Sequence, residues 1–126
     1  MALSGTKLSE FLNWKWENEN TPYPLHEYLK APEAFGLYEL GEMVKGVFVA
    51  KYVGRAAGVT LRGRLAKHSR RSHNLQVRAS AHKLFFRFRV INSAPLASYI
   101  EAVSIVALDY PFNRRNEWHQ HWALES

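Results

Sequence analysis

The chain predicts a small α/β protein of the α+β kind: a three-stranded, mixed or antiparallel sheet flanked by helices, with a helical extension at its N-terminus. Three patterns carry that expectation. Lys83 to Ile91 alternates, with Leu84, Phe86, Phe88 and Val90 on one side and Phe85, Arg87, Arg89 and Ile91 on the other, the two-residue period of a half-buried strand. Phe35 to Leu40 and Val47 to Val53 are short β-prone runs separated by Gly41 to Gly46, which reads as a hairpin. Apolar residues at helical spacing stand on both sides of these strands.

Taken in order, Leu8, Phe11, Leu12 and Trp16 recur at helical intervals, so an amphipathic helix is expected over roughly 6–17. Thr21-Pro22-Tyr23-Pro24 breaks it. Pro24 can open a short second helix through Leu25 and Leu29 that stops before Pro32. After the hairpin, Thr60 is a natural N-cap for a helix over about 61–70. The polar, basic stretch from Ser69 to Ser80 reads as a loop. Ser93 and Pro95 start a helix that should reach about Leu108, with Leu96, Ile100, Val103 and Ala107 facing the core, and Tyr110-Pro111 ends it. Trp118 and Trp122, four apart, are expected to close the core. The division is an extension over 1–34 packed on a core domain over 35–126, one domain overall.

Composition narrows the class. A 126-residue chain that is 47% hydrophobic and 13% aromatic can bury a real core. With no Cys there is neither a disulfide framework nor a thiolate metal site. The opening MALSGTKLSEFLNWKWENEN lacks the pattern of a signal peptide, and no apolar run approaches the ~18 residues of a membrane span, so a soluble, cytoplasmic protein is expected. The net charge of +6 is unevenly placed: from Lys45 to Arg89 there are twelve Lys/Arg and no Asp or Glu. Basic charge confined to one segment can focus a field on a polyanion. A solvated basic face is the plain alternative, but such faces usually mix signs.

Within and beyond this segment stand Tyr38, Tyr52, Arg64, His68, Glu101 and Asn113. Tyr38 and Tyr52 fall on the two hairpin strands. Arg64 and His68, four apart, share a helix face; the planar fork of Arg64 suits a phosphate, and His68 can relay a proton. Glu101 is the only acid between Glu42 and Asp109. One carboxylate, waters and a substrate phosphate are enough for a hard cation such as Mg²⁺ or Mn²⁺. A phenol of pKa ~10 is a poor base unless nearby positive charge acts on it, and Lys51, Arg55 and Arg64 are candidates to supply that charge.

Gly36-Leu37-Tyr38, Tyr52-Val53-Gly54-Arg55, Arg64-x3-His68, Glu101 and Tyr110-Pro111-Phe112-Asn113, in that order, resemble the GIY-YIG nuclease family over roughly residues 35–116. The resemblance implies a divalent-metal-dependent endonuclease acting on DNA. It implies Tyr38 as general base, Tyr52 as a residue ordering water or phosphate, Glu101 as metal ligand, and Asn113 as an organiser of the site around that glutamate. Two spacings run slightly long: thirteen residues lie between Tyr38 and Tyr52, and Arg64 is ten after Gly54, which keeps Arg62 in play as the catalytic arginine.

Arg70, Arg71, Arg78, Lys83, Arg87 and Arg89, with Lys51, Arg55 and Arg62, form the expected pool of backbone contacts to nucleic acid, duplex or single-stranded DNA, with RNA left open. Cutting both strands of a duplex would call for a homodimer or two events. Two other readings stand beside the nuclease: a non-cutting nucleic-acid-binding module on the same fold, and an interaction protein whose basic face meets an acidic partner. His119-x-His121 beside Glu117 is too sparse a set to predict zinc.

Overall fold

A computed structural model describes residues 15–113. They form a four-stranded antiparallel sheet with helices on both faces. The strands are β1 (Tyr23–Pro24), β2 (Gly36–Val44), β3 (Val47–Ala56) and β4 (Leu84–Val90), in spatial order β1-β4-β2-β3. The helices are α1 (Leu61–Arg71), α2 (Leu75–Ser80) and α3 (Ala94–Leu108), with 3-10 turns over Leu25–Lys30 and Ala81–Lys83. The α+β expectation holds. The sheet has one strand more than expected, the two-residue β1, which pairs Tyr23 with Phe86 at the β4 edge.

The hairpin is longer than the sequence pattern indicated. β2 runs on through Val44, and the reversal is confined to Lys45 and Gly46, both at positive φ (52° and 80°). Two successive left-handed residues match the right-handed twist of the flanking strands. Pairing shifts by one residue between Leu40↔Tyr52 and Gly41↔Ala50, which leaves Lys51 as the extra residue of a bulge.

α1 is capped as expected: the Thr60 side chain accepts from the Gly63 N–H at 3.1 Å. The stretch expected as a loop contains α2. Asn74 caps it, accepting from the Gln76 and Val77 N–H groups at 3.0 Å each. α3 spans its expected range, but Ala97, Ile100 and Ser104 face inward while Ala107 is exposed. The buried stripe is therefore rotated by about one residue from the predicted one. The helix expected over 6–17 lies mostly outside the described residues, and residues 15–17 are not helical. Trp118, Trp122 and the His119-x-His121 pair lie outside them too.

One main core joins Leu25, Ala31, Leu40, Leu61, Leu65 and Phe86 between the sheet and α1. Alternation puts Leu37, Glu39 and Val53 on the opposite face, where α3 packs on β3 and β2. There, Glu39 is buried, accepts from Arg87 at 2.6 Å across the strand pair, and accepts from the Tyr110 hydroxyl. Because β3 is an edge strand, side chains from both faces can meet around it.

Candidate active site

The meeting place is a cavity of about 310 Å³ at the β3 edge, lined by Tyr38, Tyr52, Gly54, Arg55, Arg64 and Glu101 among others. Each comes from its own local logic. Tyr38 and Tyr52 are on adjacent strands with their rings 6.3 Å apart, on the α1 face. Arg64 enters from α1 and Glu101 from α3. Tyr38 is wholly buried, and it pairs directly across the sheet with Gly54. A Cβ at residue 54 would lie 2.3 Å from the Tyr38 Oη. Only glycine leaves room for the ring, which is the local reason for Gly in this Tyr-Val-Gly triplet.

The Tyr38 hydroxyl is 2.7 Å from His68 Nε2, and His68 Nδ1 is 2.7 Å from Ser72 Oγ. Ser72 Oγ also accepts the Asn74 N–H at 3.1 Å. The arrangement forms a buried line, Tyr38–His68–Ser72, whose proton positions are fixed by one choice of tautomer. With the proton on Nδ1, His68 donates to Ser72 and accepts from Tyr38. Burial, reinforced by the Arg64 and Lys67 charges, pushes the His68 pKa down to about 4, so the ring is neutral at pH 7. Burial likewise raises the Tyr38 phenol well above its usual value, with Tyr52 adding to the rise and the Arg64 guanidinium opposing it.

Glu101 is bound to Arg55, with Nη1 2.7 Å from Oε1. Arg55, expected among the nucleic-acid contacts, thus sits in the cavity as the partner of its carboxylate. Arg62 does not line the cavity: it donates to the Ala31 carbonyl at 2.9 Å and pairs with Glu33 at 3.3 Å. Of the two candidate arginines, Arg64 is the one at the cavity.

Asn113 is buried but does not reach Glu101's ion pair. Its Oδ1 accepts the Val53 N–H at 2.7 Å and its Nδ2 donates to the Val53 carbonyl at 2.9 Å. The side-chain amide thus stands in for a neighbouring strand between Tyr52 and Gly54. Its hydrogen bonds are thus to β3, whereas the resemblance implies a place around the glutamate.

The basic pool divides. Arg87 is largely buried against Glu39 and lies 4.3 Å over the Phe48 ring, and among the described residues its buried Nε has no hydrogen-bond partner. Arg89 donates to the Lys15 carbonyl at 3.0 Å. Lys51 sits at the β3 bulge. Arg70, Arg71 and Arg78 are exposed on α1 and α2.

Ser72 and Glu39 do not stand out in the sequence. Ser72 stands four after His68, the helical spacing that would have offered it as a partner. Glu39 shares the strand face of Leu37, the alternation that would have buried it.

Among the described residues there is no cluster of three or more His, Cys, Asp or Glu suited to a metal. The donor set at the cavity is one carboxylate beside open space. That suits a hard cation held by a carboxylate, waters and phosphate oxygens, and it does not suit an all-protein cage. No described helix is long and apolar enough to cross a membrane. Comparison of the chain with protein-family models, curated proteins and solved structures finds no match.

Proposed function

We propose that the protein is a divalent-metal-dependent endonuclease that hydrolyses DNA phosphodiester bonds at the β3-edge cavity. The observation that carries this reading is that Tyr38, Tyr52, Arg64 and Glu101, from four separate elements, line one cavity.

Phosphodiester hydrolysis needs a deprotonated, aimed water and compensation of charge on the phosphoryl group. Glu101 would hold Mg²⁺ or Mn²⁺, which when bound supplies charge neutralisation at the phosphoryl oxygens. Arg64, across the cavity, grips a non-bridging oxygen through its fork. Tyr38 cannot serve as a base by ionising beforehand, because burial holds its proton on. Its contact with neutral His68 offers another route. As Tyr38 takes a proton from the attacking water, it hands its own to His68 Nε2, and Ser72 accepts the Nδ1–H bond of the resulting imidazolium. Tyr52, beside both rings, orders the water or the phosphate.

The test is cleavage of supercoiled plasmid and single-stranded circular DNA with Mg²⁺ or Mn²⁺, comparing the native chain with Glu101→Ala. Metal-dependent cutting that is lost in the variant is expected. Binding without cutting by both proteins favours the second reading, a nucleic-acid-binding module on the same fold.

A further inference from the structure

Four cations of the basic segment pair with a carboxylate: Arg55 with Glu101, Arg62 in the first turn of α1 with Glu33, Lys83 with Glu42 and Arg87 with Glu39. Over the rest of α1 and on α2 the cations do not. No carboxylate pairs with Arg64, Lys67, Arg71 or Arg78 among the described residues, and Arg70 contacts only the Tyr28 ring and hydroxyl. Charge left unmatched on one surface of a protein is available to an external anion.

These unmatched groups are contiguous. The active cavity shares Tyr52 and Arg64 with a narrower depression of about 70 Å³, further lined by Lys67 and His73. That depression shares Lys67 and His73 with an open groove of about 470 Å³ between α1 and α2, lined also by Arg70, Arg71 and Arg78. Arg64, Lys67 and Arg71, at i, i+3 and i+7, follow one face of α1 over about 10 Å at the helical rise of 1.5 Å per residue. That length corresponds to about three nucleotide steps of one strand at the duplex axial rise of ~3.4 Å. The carboxylate of Glu101 marks one end of the path. Among the groups named along the rest of it there is none.

We propose that this path from Arg64 through Lys67 and His73 to Arg71 and Arg78 seats the sugar–phosphate backbone of one nucleic-acid strand running away from the cleaved bond. The named groups along the path are cations and a histidine suited to phosphates, so the path tracks one strand by its phosphates. Lys67 and His73 are the joint between the reacting phosphate and the outer groove. The inference rests on the nuclease reading for its direction, but its binding part does not need the reaction.

The experiment is a fluorescence-anisotropy titration of labelled oligonucleotide, single-stranded and annealed, in EDTA so that nothing is cut, over a range of salt. Lys67→Ala with Arg71→Ala is compared with Lys45→Ala with Lys83→Ala, which removes equal charge from residues that do not line the path. For the first pair, binding should weaken and the log–log salt slope should fall by roughly 1.4 on a single strand or 1.8 on a duplex, at about 0.7 or 0.9 per lost contact. The second pair should leave the slope unchanged. Equal slopes for the two pairs would replace the path with diffuse charge, and no binding by the native chain at low salt would overturn it. A chain that binds in this pattern yet cuts nothing with any metal keeps the path and loses the nuclease reading; one that cuts but is indifferent to the Lys67 pair does the reverse.

Discussion

Tyr38 Oη and His68 Nε2 lie 2.7 Å apart inside the protein, in a contact that joins β2 to α1 and ties His68 to a residue that lines the cavity. Both groups are held in their neutral forms by burial. Structure and chemistry therefore share one hydrogen bond, and its removal should register in both. Tyr38→Phe leaves the His68 nitrogen without its partner, a cost of about 1–3 kcal/mol for an unsatisfied buried group. Chemical denaturation should show that loss. On the proposed relay, cleavage should fall by about 10²–10⁴-fold, the usual range for a general acid–base group, with binding in EDTA unchanged.

Acid should weaken the fold through His68. In the unfolded chain this imidazole takes up a proton near pH 6.5, whereas in the folded protein it does so only near 4. Between those values the unfolded state holds more protons, so stability rises with pH. The contribution is complete above about pH 6.5 and declines toward pH 4, by up to about 3 kcal/mol. Thermal unfolding followed from pH 7 to 4 should reveal this slope, and His68→Gln should flatten it. An unchanged profile in the variant would assign acid sensitivity to other groups.

Gly54→Ala places a methyl group 2.3 Å from Oη and 2.4 Å from Cζ of Tyr38. Overpacking of this kind costs about 1–3 kcal/mol. Since the clash is with one ring, Tyr38→Ala should absorb most of it. A double-mutant cycle is therefore expected to be strongly non-additive; additive costs would mean that the methyl group meets something else.

Much of this architecture is legible in the sequence. The β4 alternation, the Thr60 cap and the hairpin are local patterns, and local patterns fix local backbone. The ordered set of Tyr38, Tyr52, Arg64 and Glu101 also converges, at one cavity. What was hidden depends on partners distant in the chain. Arg87 reads as an exposed cation until Glu39 is known to be its cross-strand neighbour. Arg62 and Arg64 are indistinguishable by spacing, and only the position of Ala31 and Glu33 separates them. α2 was missed because a six-residue helix has too few turns for its periodicity to stand out, leaving the Asn74 cap as its one signal. The inward stripe of α3 was misjudged for a different reason. That helix carries apolar residues on more than one side, so hydrophobicity alone does not say which face the sheet covers.

Asn113→Ala removes both hydrogen bonds to Val53. Two orphaned backbone groups at about 1–3 kcal/mol each should loosen the strand segment that carries Tyr52 and Gly54. Amide exchange is the direct readout: the Val53 N–H should lose its protection, and cleavage should fall without any change in metal affinity. A fall in metal affinity would return Asn113 to the neighbourhood of Glu101.

Asn18 serves β4 as Asn113 serves β3. Its amide donates to the Phe86 carbonyl at 3.0 Å and accepts the Phe88 N–H at 3.0 Å. At these points on β3 and β4 the peptide groups are already engaged by a side chain, a usual defence against intruding strands. For the nuclease reading this restricts how two copies can come together over a duplex. Strand exchange through Val53 would require evicting Asn113 and would disturb Tyr52 in the same motion. A pair that cuts both strands while keeping Tyr52 in place would therefore meet through an interface that leaves Val53 and Asn113 alone.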